Sequence, residues 1–469
     1  MSPRPVAVPT RSEDESREGP GSTGSSRKVE LAQVTSCSPP RALHGTVVAS
    51  GVPANCTRPL AIVTTLFFMW GFLTCLNDIL VPHLKSIFDL SYFEVSLVQF
   101  SFFSAYFLFS VPWSRAVNVL GYQRTMVVGL ILMAVGAVLF VPAASLASFP
   151  LFLGALVVLA TGITGLQVSA NPYVVVLGKP ETASSRLDLT QAFNSLGTTI
   201  APKIGGLFIL AAAPLAADEL AKLSPVALHA YRIQEAATVK IPYLVIAGAL
   251  IVLAVLIAAS NLPRIATATQ DATQRVGDSL WKHRNLVFGA LGIFTYVGAE
   301  VSIGSFLVNY FGQPDIGGLS PKVAAGYVSF YWAGAMIGRF LGAPLLRRFR
   351  PGHLLAICAI GAAALVGISM LTTGHVAMWS ILAVGLFNSI MFPTIFSLGV
   401  AELGPLTSSG SGILNMAIVG GAILPLIQGA LADRIGIHSA FFVPVLCYVY
   451  ILYFAINGSK PNSQRLAAA

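Results

Sequence analysis

The sequence predicts an all-α membrane protein of twelve transmembrane helices in two six-helix halves. Three observations predict it. Of its 469 residues 55% are hydrophobic and only 10% charged, whereas a soluble domain is about 25% charged. Apolar stretches near the length needed to cross a bilayer, about 20 residues, recur twelve times along the chain. A polar segment, residues 262–284 (LPRIATATQDATQRVGDSLWKHR), divides them six and six. A chain with so little charge could not shield its apolar exterior from water, so its partner is the lipid bilayer.

The predicted spans are 59–84, 92–114, 124–144, 149–177, 186–212, 241–261, 285–311, 323–345, 352–373, 375–401, 407–432 and 436–457. The longest are expected to tilt or to run past the hydrocarbon. Residues 1–58, rich in Pro, Ser, Gly and charge, bury too little apolar surface to fold alone and read as a disordered tail. No basic region leads directly into an apolar core there, so the first span serves as an uncleaved insertion signal. The expected organisation is this tail, an N-terminal half over 59–261, a linker over 262–284, a C-terminal half over 285–457 and a short tail over 458–469.

An even number of spans puts both termini on one side. With the termini inside, the inner loops and flanks hold Arg58, Arg115, Arg124, Lys179, Arg186, Arg264, Arg275, Lys282, Arg284, Arg347, Arg348, Arg350, Lys460 and Arg465. The outer set is smaller: Lys85, Lys222, Arg232, Lys240, Lys322 and Arg434. The bias places both termini in the cytoplasm and the protein in the cytoplasmic (inner) membrane. The net charge of +9 is thereby read as a topology signal and not as a nucleic-acid surface.

Five cysteines (Cys37, Cys56, Cys75, Cys358 and Cys447) show neither CxxC nor metal-ligand spacing and read as unpaired. Walker A and HExxH sequences are missing. The glycine-rich SSGSGILNMA of residues 408–417 opens a span with no strand before it, which suits close helix packing and not a phosphate cradle. Neither an enzyme nor a bound cofactor is expected. Energy comes from an ion gradient, H+ or Na+, or from the gradient of the substrate itself.

An internal repeat underlies the two halves. GLQVSANPYVVVLG, Gly165 to Gly178, is similar to GLFNSIMFPTIFSLG, Gly385 to Gly399. Aligned on Pro172 and Pro393, Gln167 falls opposite Asn388, and an asparagine follows each proline at one spacing, Asn194 and Asn415. Two six-span halves in parallel repeat is the plan of the major facilitator superfamily, whose substrate site lies near the midplane between the halves.

Polar residues inside spans are costly and mark function by default. Asp78 is the one carboxylate of the first span, with Thr74 and Gly71 on nearly the same face and Trp70 close by. It reads as a functional carboxylate, the alternative being a structural tie to a neighbouring helix. Gln167 and Asn171 stand one turn apart in the fourth span, and Gln191 and Asn194 likewise in the fifth. Amides both donate and accept, as sugar hydroxyls do, so this ladder suits a monosaccharide, with interhelical bonding as the alternative. Glu300 in the seventh span is a second candidate for cation coupling, and Asn388 and Asn415 extend the ladder into the second half. Tyr327, Tyr331 and Trp332 either stack on a sugar or pack. Lys203 is read as snorkelling to the outer headgroups, and Arg339 as a brace of the cytoplasmic gate.

FFMWGFLTCLNDILVPHLK, QVSANPYVVVLG, RLDLTQAFNSLGTTIAP and GRFLGAPLLRRF together resemble the fucose permease branch of the major facilitator superfamily. Within it they are closer to bacterial glucose/galactose transporters. The resemblance covers about 59–457. The superfamily signature after the second span is degenerate: VPWSRAVNVLGYQRT keeps a glycine and basic residues, Arg124 among them, but no acid. The resemblance implies sugar uptake by alternating access driven by a cation, in a monomer. It implies an essential first-span Asp at Asp78 and substrate-binding amides at Gln191 and Asn194; Arg124, Arg339 and Arg347 are read from their place at the basic loops as residues of the cytoplasmic gate. The branch's fourth-span Glu, its proposed proton carrier, falls at Gln167, as in the hexose-transporting subgroup. Asp188 stands where an amide is expected. The reading is a glucose/galactose importer binding through Trp70, Asp78, Gln167, Gln191, Asn194, Asn388 and Asn415. The alternatives are symport of L-fucose or another monosaccharide with a proton, a drug or metabolite exporter on the same fold, and a sugar receptor that moves no cargo.

Overall fold

A computed structural model describes residues 57–88, 92–146, 148–208, 240–265 and 279–461, with residues 223, 224, 226, 227 and 231. Side chains at 76–88, 92–97, 99 and 202–208 lie outside that description. The expectations for the N-terminal tail, most of the linker and the side chains of Asp78 and Lys203 fall there too. All described residues belong to one unit within Val47–Ala469.

Twelve helical spans follow in order: α1 (Thr57–Phe88), α2 (Tyr92–Leu120), α3 (Tyr122–Ser145), α4 (Phe149–Val176), α5 (Ala183–Phe208), α6 (Lys240–Ala259), α7 (Arg284–Phe311), α8 (Pro321–Arg348), α9 (Pro351–Leu371), α10 (Gly374–Gly399), α11 (Gly404–Ile435) and α12 (Ile437–Gly458). Nine are long and apolar enough to cross a membrane among the described residues. The exceptions are α2, α5 and α8. Three spans expected to be continuous are broken. In α10 the helix stops at Asn388 and resumes at Met391, in α11 a 3-10 turn spans Ala417–Val419, and α12 stops at Ala440, resumes at Phe442 and ends as a π-helix over Phe454–Gly458. Helix α2 also runs past its expected end to Leu120, so Arg115 lies inside it.

Packing repeats with the sequence. Within the first half α1 packs on α5, α2 on α4, and α3 on α4 and α6. Six helices later α7 packs on α11, α8 on α10, and α9 on α10 and α12. The halves meet through α2 against α11 and α5 against α8, two contacts that the repeat exchanges.

Glycine sets the closeness of the repeated pairs. A Cβ on Gly71 would fall 2.1 Å from the carbonyl oxygen of Asn194, and one on Gly420 would fall 2.1 Å from that of Phe294. So α1–α5 and α7–α11 both approach backbone to backbone, with the glycine on α1 in the first half and on α11 in the second, as small residues allow in membranes.

The prolines that anchor the repeat act through the carbonyls four residues back. Proline has no N–H to donate to them. Pro172 leaves the carbonyl of Val168 free, and Ser411 Oγ donates to it at 3.1 Å from α11. Pro393 frees the carbonyl of Ser389, at the break in α10, and Arg339 Nε donates to it at 3.2 Å.

Candidate substrate site and seam between the halves

Each half builds one amide–tyrosine pair. Gln167 Nε2 on α4 donates to Tyr106 Oη on α2 at 2.8 Å. Asn388 Nδ2 on α10 donates to Tyr331 Oη on α8 at 2.8 Å. The pairs join corresponding helices of the two halves, α4 to α2 and α10 to α8, although the register of the prolines sets Tyr106 opposite Tyr327. All four side chains are buried. Gln167 Oε1 and Asn388 Oδ1 each lack a hydrogen-bond partner, although the hydroxyl of Tyr448 on α12 lies within reach of the Asn388 amide. A buried acceptor left unpaired is expensive, so these positions suit a ligand that brings hydroxyl donors.

The remaining amides take different roles. Gln191 Nε2 approaches Asn171 Oδ1 at 3.5 Å, at the outer limit of a hydrogen bond, which joins α5 to α4. Asn194 Nδ2 crosses to the carbonyl of Phe67 on α1 at 2.9 Å. Its repeat partner Asn415 instead turns into its own helix, donating to the carbonyl and hydroxyl of Ser411, and its Oδ1 is unpartnered. Trp70 is buried against Phe67 with ring centroids 5.3 Å apart. Thr74 spends its hydroxyl on the carbonyls of Trp70 and Gly71. Helix α1 carries Asp78, whose side chain is outside the described residues.

A second polar nest sits in the C-terminal half. Tyr296 Oη donates to Glu300 Oε1 at 2.8 Å on α7. Arg339 is close enough to act electrostatically on both. Glu300 also acts on Tyr331 and on Tyr448 of α12. The buried Tyr331 therefore serves Asn388, while Trp332 is exposed and Tyr327 packs near Trp379.

Arg339 links this nest to the other half. Besides the carbonyl of Ser389, it donates through Nη1 to Ser195 Oγ on α5. Ser195 in turn donates to the carbonyl of Gln191 at 3.1 Å. From there the seam continues toward the end carrying the α2–α3 and α8–α9 turns. Ser185 Oγ donates to the carbonyl of Ala343 at 2.6 Å, Arg347 Nε to Ser185 Oγ at 3.3 Å, and the hydroxyls of Ser184 and Ser397 lie 2.7 Å apart. Asn118 meets Ser408 and Ser409 across α2 and α11. These contacts close the halves at the end bearing Arg124 (exposed), Arg347, Arg348 and Arg350.

Of the residues singled out from sequence, Gln167, Gln191 and Asn194 share the first half's polar layer. Asn388, Glu300 and Arg339 share the second's. Arg124 and Arg347 stand at the basic end. Sequence reading missed Tyr106, Ser195 and Ser411. Tyr106 is one aromatic among many in FSFFSAYFLFS, and only its contact with Gln167 marks it. Among the described residues no cluster of three His, Cys, Asp or Glu forms a metal site.

Comparison with known proteins agrees with this architecture. The Major Facilitator Superfamily family model matches residues 61–418. A glucose/galactose transporter of Brucella abortus is 55% identical over 401 residues, covering 86% of this chain and 94% of the relative. The L-fucose-proton symporter of Escherichia coli is 36% identical over 404 residues, covering 85% of this chain and 92% of the relative. The crystal structure of the transporter FucP in the outward conformation superposes with a TM-score of 0.79 at 35% identity, covering 86% of this chain and 99% of that one. The chain belongs to the Major Facilitator Superfamily.

Proposed function

We propose that this protein is a secondary active importer of hexoses, glucose and galactose foremost, that couples sugar entry to a cation by alternating access. The observation that carries the reading is the repeated pair Gln167–Tyr106 and Asn388–Tyr331, each with an unpartnered amide oxygen in a buried layer. A pyranose offers hydroxyl donors at several positions, so one molecule would satisfy acceptors from both halves. Close similarity to a glucose/galactose transporter favours those hexoses over L-fucose. Seam contacts at the basic end, with the likeness to a transporter solved in an outward conformation, support an outward-facing state.

On this reading Asp78, Gln167, Gln191, Asn194, Asn388 and Asn415 bind the sugar with Trp70 beside them, and Asp78 and Glu300 serve the cation. Arg339 and Arg347 hold the seam. The basic loops face the cytoplasm, as retention of Lys and Arg on that side favours, and the carrier acts as a monomer in the inner membrane. The test is labelled-sugar uptake into proteoliposomes under separately imposed sodium and proton gradients, with competing sugars. Accumulation of galactose and glucose is expected; no accumulation of any monosaccharide under either gradient overturns the reading.

A further inference from the structure

Asp188 is fully buried, and neither of its carboxylate oxygens has a hydrogen-bond partner. It lies on α5 in the seam, one turn from Gln191 on the side away from Asn194. Its carboxylate occupies a notch in α8: a Cβ on Gly342 would fall 2.8 Å from Asp188 Oδ2 and 2.2 Å from Ile390 Cγ2. A buried carboxylate without donors is poorly stabilised as an ion and must find a cation or a proton. The cation at hand is Arg339, which acts on it electrostatically from α8 while its Nε and Nη1 donate to the carbonyl of Ser389 and to Ser195 Oγ.

We propose that Asp188 is a proton-binding site of this carrier, and that its charge, set against Arg339, holds the seam between the halves closed at the basic end. Ionised, Asp188 on one half attracts Arg339 on the other. When a proton bonds to one carboxylate oxygen, the charge is lost and with it that attraction, and the seam loosens. Opening exposes Asp188 to the opposite side, where the O–H bond breaks and the proton leaves to water. The carbon surroundings at Gly342 and Ile390 favour a proton over sodium, which needs a shell of oxygen ligands. Other charged or titratable groups face the same seam: Arg347 of α8 through Ser185, Cys358 of α9 electrostatically, and Glu300 and Tyr296 of α7 through Arg339; Arg186 on α5 turns instead to the end of α4, donating to the carbonyls of Val174, Val175 and Lys179. From α10 come the uncharged Ile390 and Ser389. Helix α1 meets α5 at Asn194 and Gly197, farther along, and α4 offers the amide of Asn171. The inference gives the chain an ionisable group that Gln167 does not supply, and it rests on the symport reading above.

Asp188→Asn tests it in the reconstituted full-length carrier. A pH step of one unit supports up to about tenfold accumulation for one proton per sugar. The variant is expected to lose that accumulation while keeping sugar counterflow. A readout without sugar accompanies it: spin labels at the exposed Leu120 and Phe349, on opposite halves at the basic end. In the parent protein their separation is expected to lengthen as pH falls; in Asp188→Asn it should be long at every pH. Parent-like accumulation by Asp188→Asn, or a parent distance indifferent to pH, overturns the proposal, as does uptake driven by sodium alone and indifferent to pH. Should Asp188→Asn not fold, Asp188→Glu decides. A folded Glu variant that keeps the pH-dependent distance supports a titrating group here, and one that loses it overturns the proposal. Failure of the parent to accumulate any sugar counts against the symport reading, while the distance measurement still judges the switch.

Discussion

Gln167 gives its amide N–H to the hydroxyl of Tyr106 at 2.8 Å, and its own oxygen is left without a donor. The amide is thus held in one orientation by the protein and left open to one kind of ligand group. A carboxylate at this place would accept from Tyr106 instead of donating to it. On the proposed function Gln167 accepts a sugar hydroxyl through that oxygen, and Asn388 repeats the arrangement with Tyr331.

Tyr106→Phe and Tyr331→Phe should each weaken sugar binding without abolishing it. Each leaves a buried amide N–H unpaired, a loss of about 1–2 kcal/mol, or a factor of roughly five to thirty in affinity. Equilibrium binding to purified protein measures it. Unchanged affinity in both variants would separate these pairs from the sugar site.

Pro172→Ala returns an N–H to the carbonyl of Val168, where it competes with Ser411. Ser411→Ala alone is expected to cost about 1 kcal/mol, and less in the Pro172→Ala background. A double-mutant cycle on unfolding in detergent reads the coupling. Strict additivity would mean that the serine and the proline act separately.

Gly71→Ala and Gly420→Ala each place a methyl group against a carbonyl oxygen of the neighbouring helix. Overpacking of this kind costs about 1–3 kcal/mol, so both variants should unfold at lower temperature. Gly248→Ala is the control, since a Cβ there meets nothing within 4 Å. Equal melting of all three would show that these contacts are not close-packed.

Asp78→Asn should keep sugar counterflow and lose gradient-driven accumulation in proteoliposomes. Full accumulation by this variant would remove Asp78 from the coupling step.

Much of the fold was legible because hydrocarbon imposes length and apolarity on every span, and because the Pro172/Pro393 and Asn194/Asn415 anchors exposed the repeat. The breaks in α10 and α11 were not legible. Pro393 signals a freed carbonyl, but Pro172 does the same inside a continuous α4, so the break depends on what takes up that carbonyl in three dimensions. The site was legible by residue type and less so by role. Asn194 and Asn415 share a register, yet one spans two helices and the other bonds to its own. Asp188 stood out in sequence only as an unexplained acid, since its meaning lies in Gly342 and Arg339, more than 150 residues away along the chain.

The two prolines have a consequence for how such a carrier drifts over time. A contact made to a main-chain oxygen does not depend on which side chain sits there, although Val168 and Ser389 are themselves buried and packed. What must be inherited is the missing hydrogen at Pro172 and Pro393 and the donors that answer it, Ser411 and Arg339. Of the two contacts, the one from Ser411 to Val168 ties α11 to α4 across the halves, and the one from Arg339 to Ser389 ties α8 to α10 within the second half.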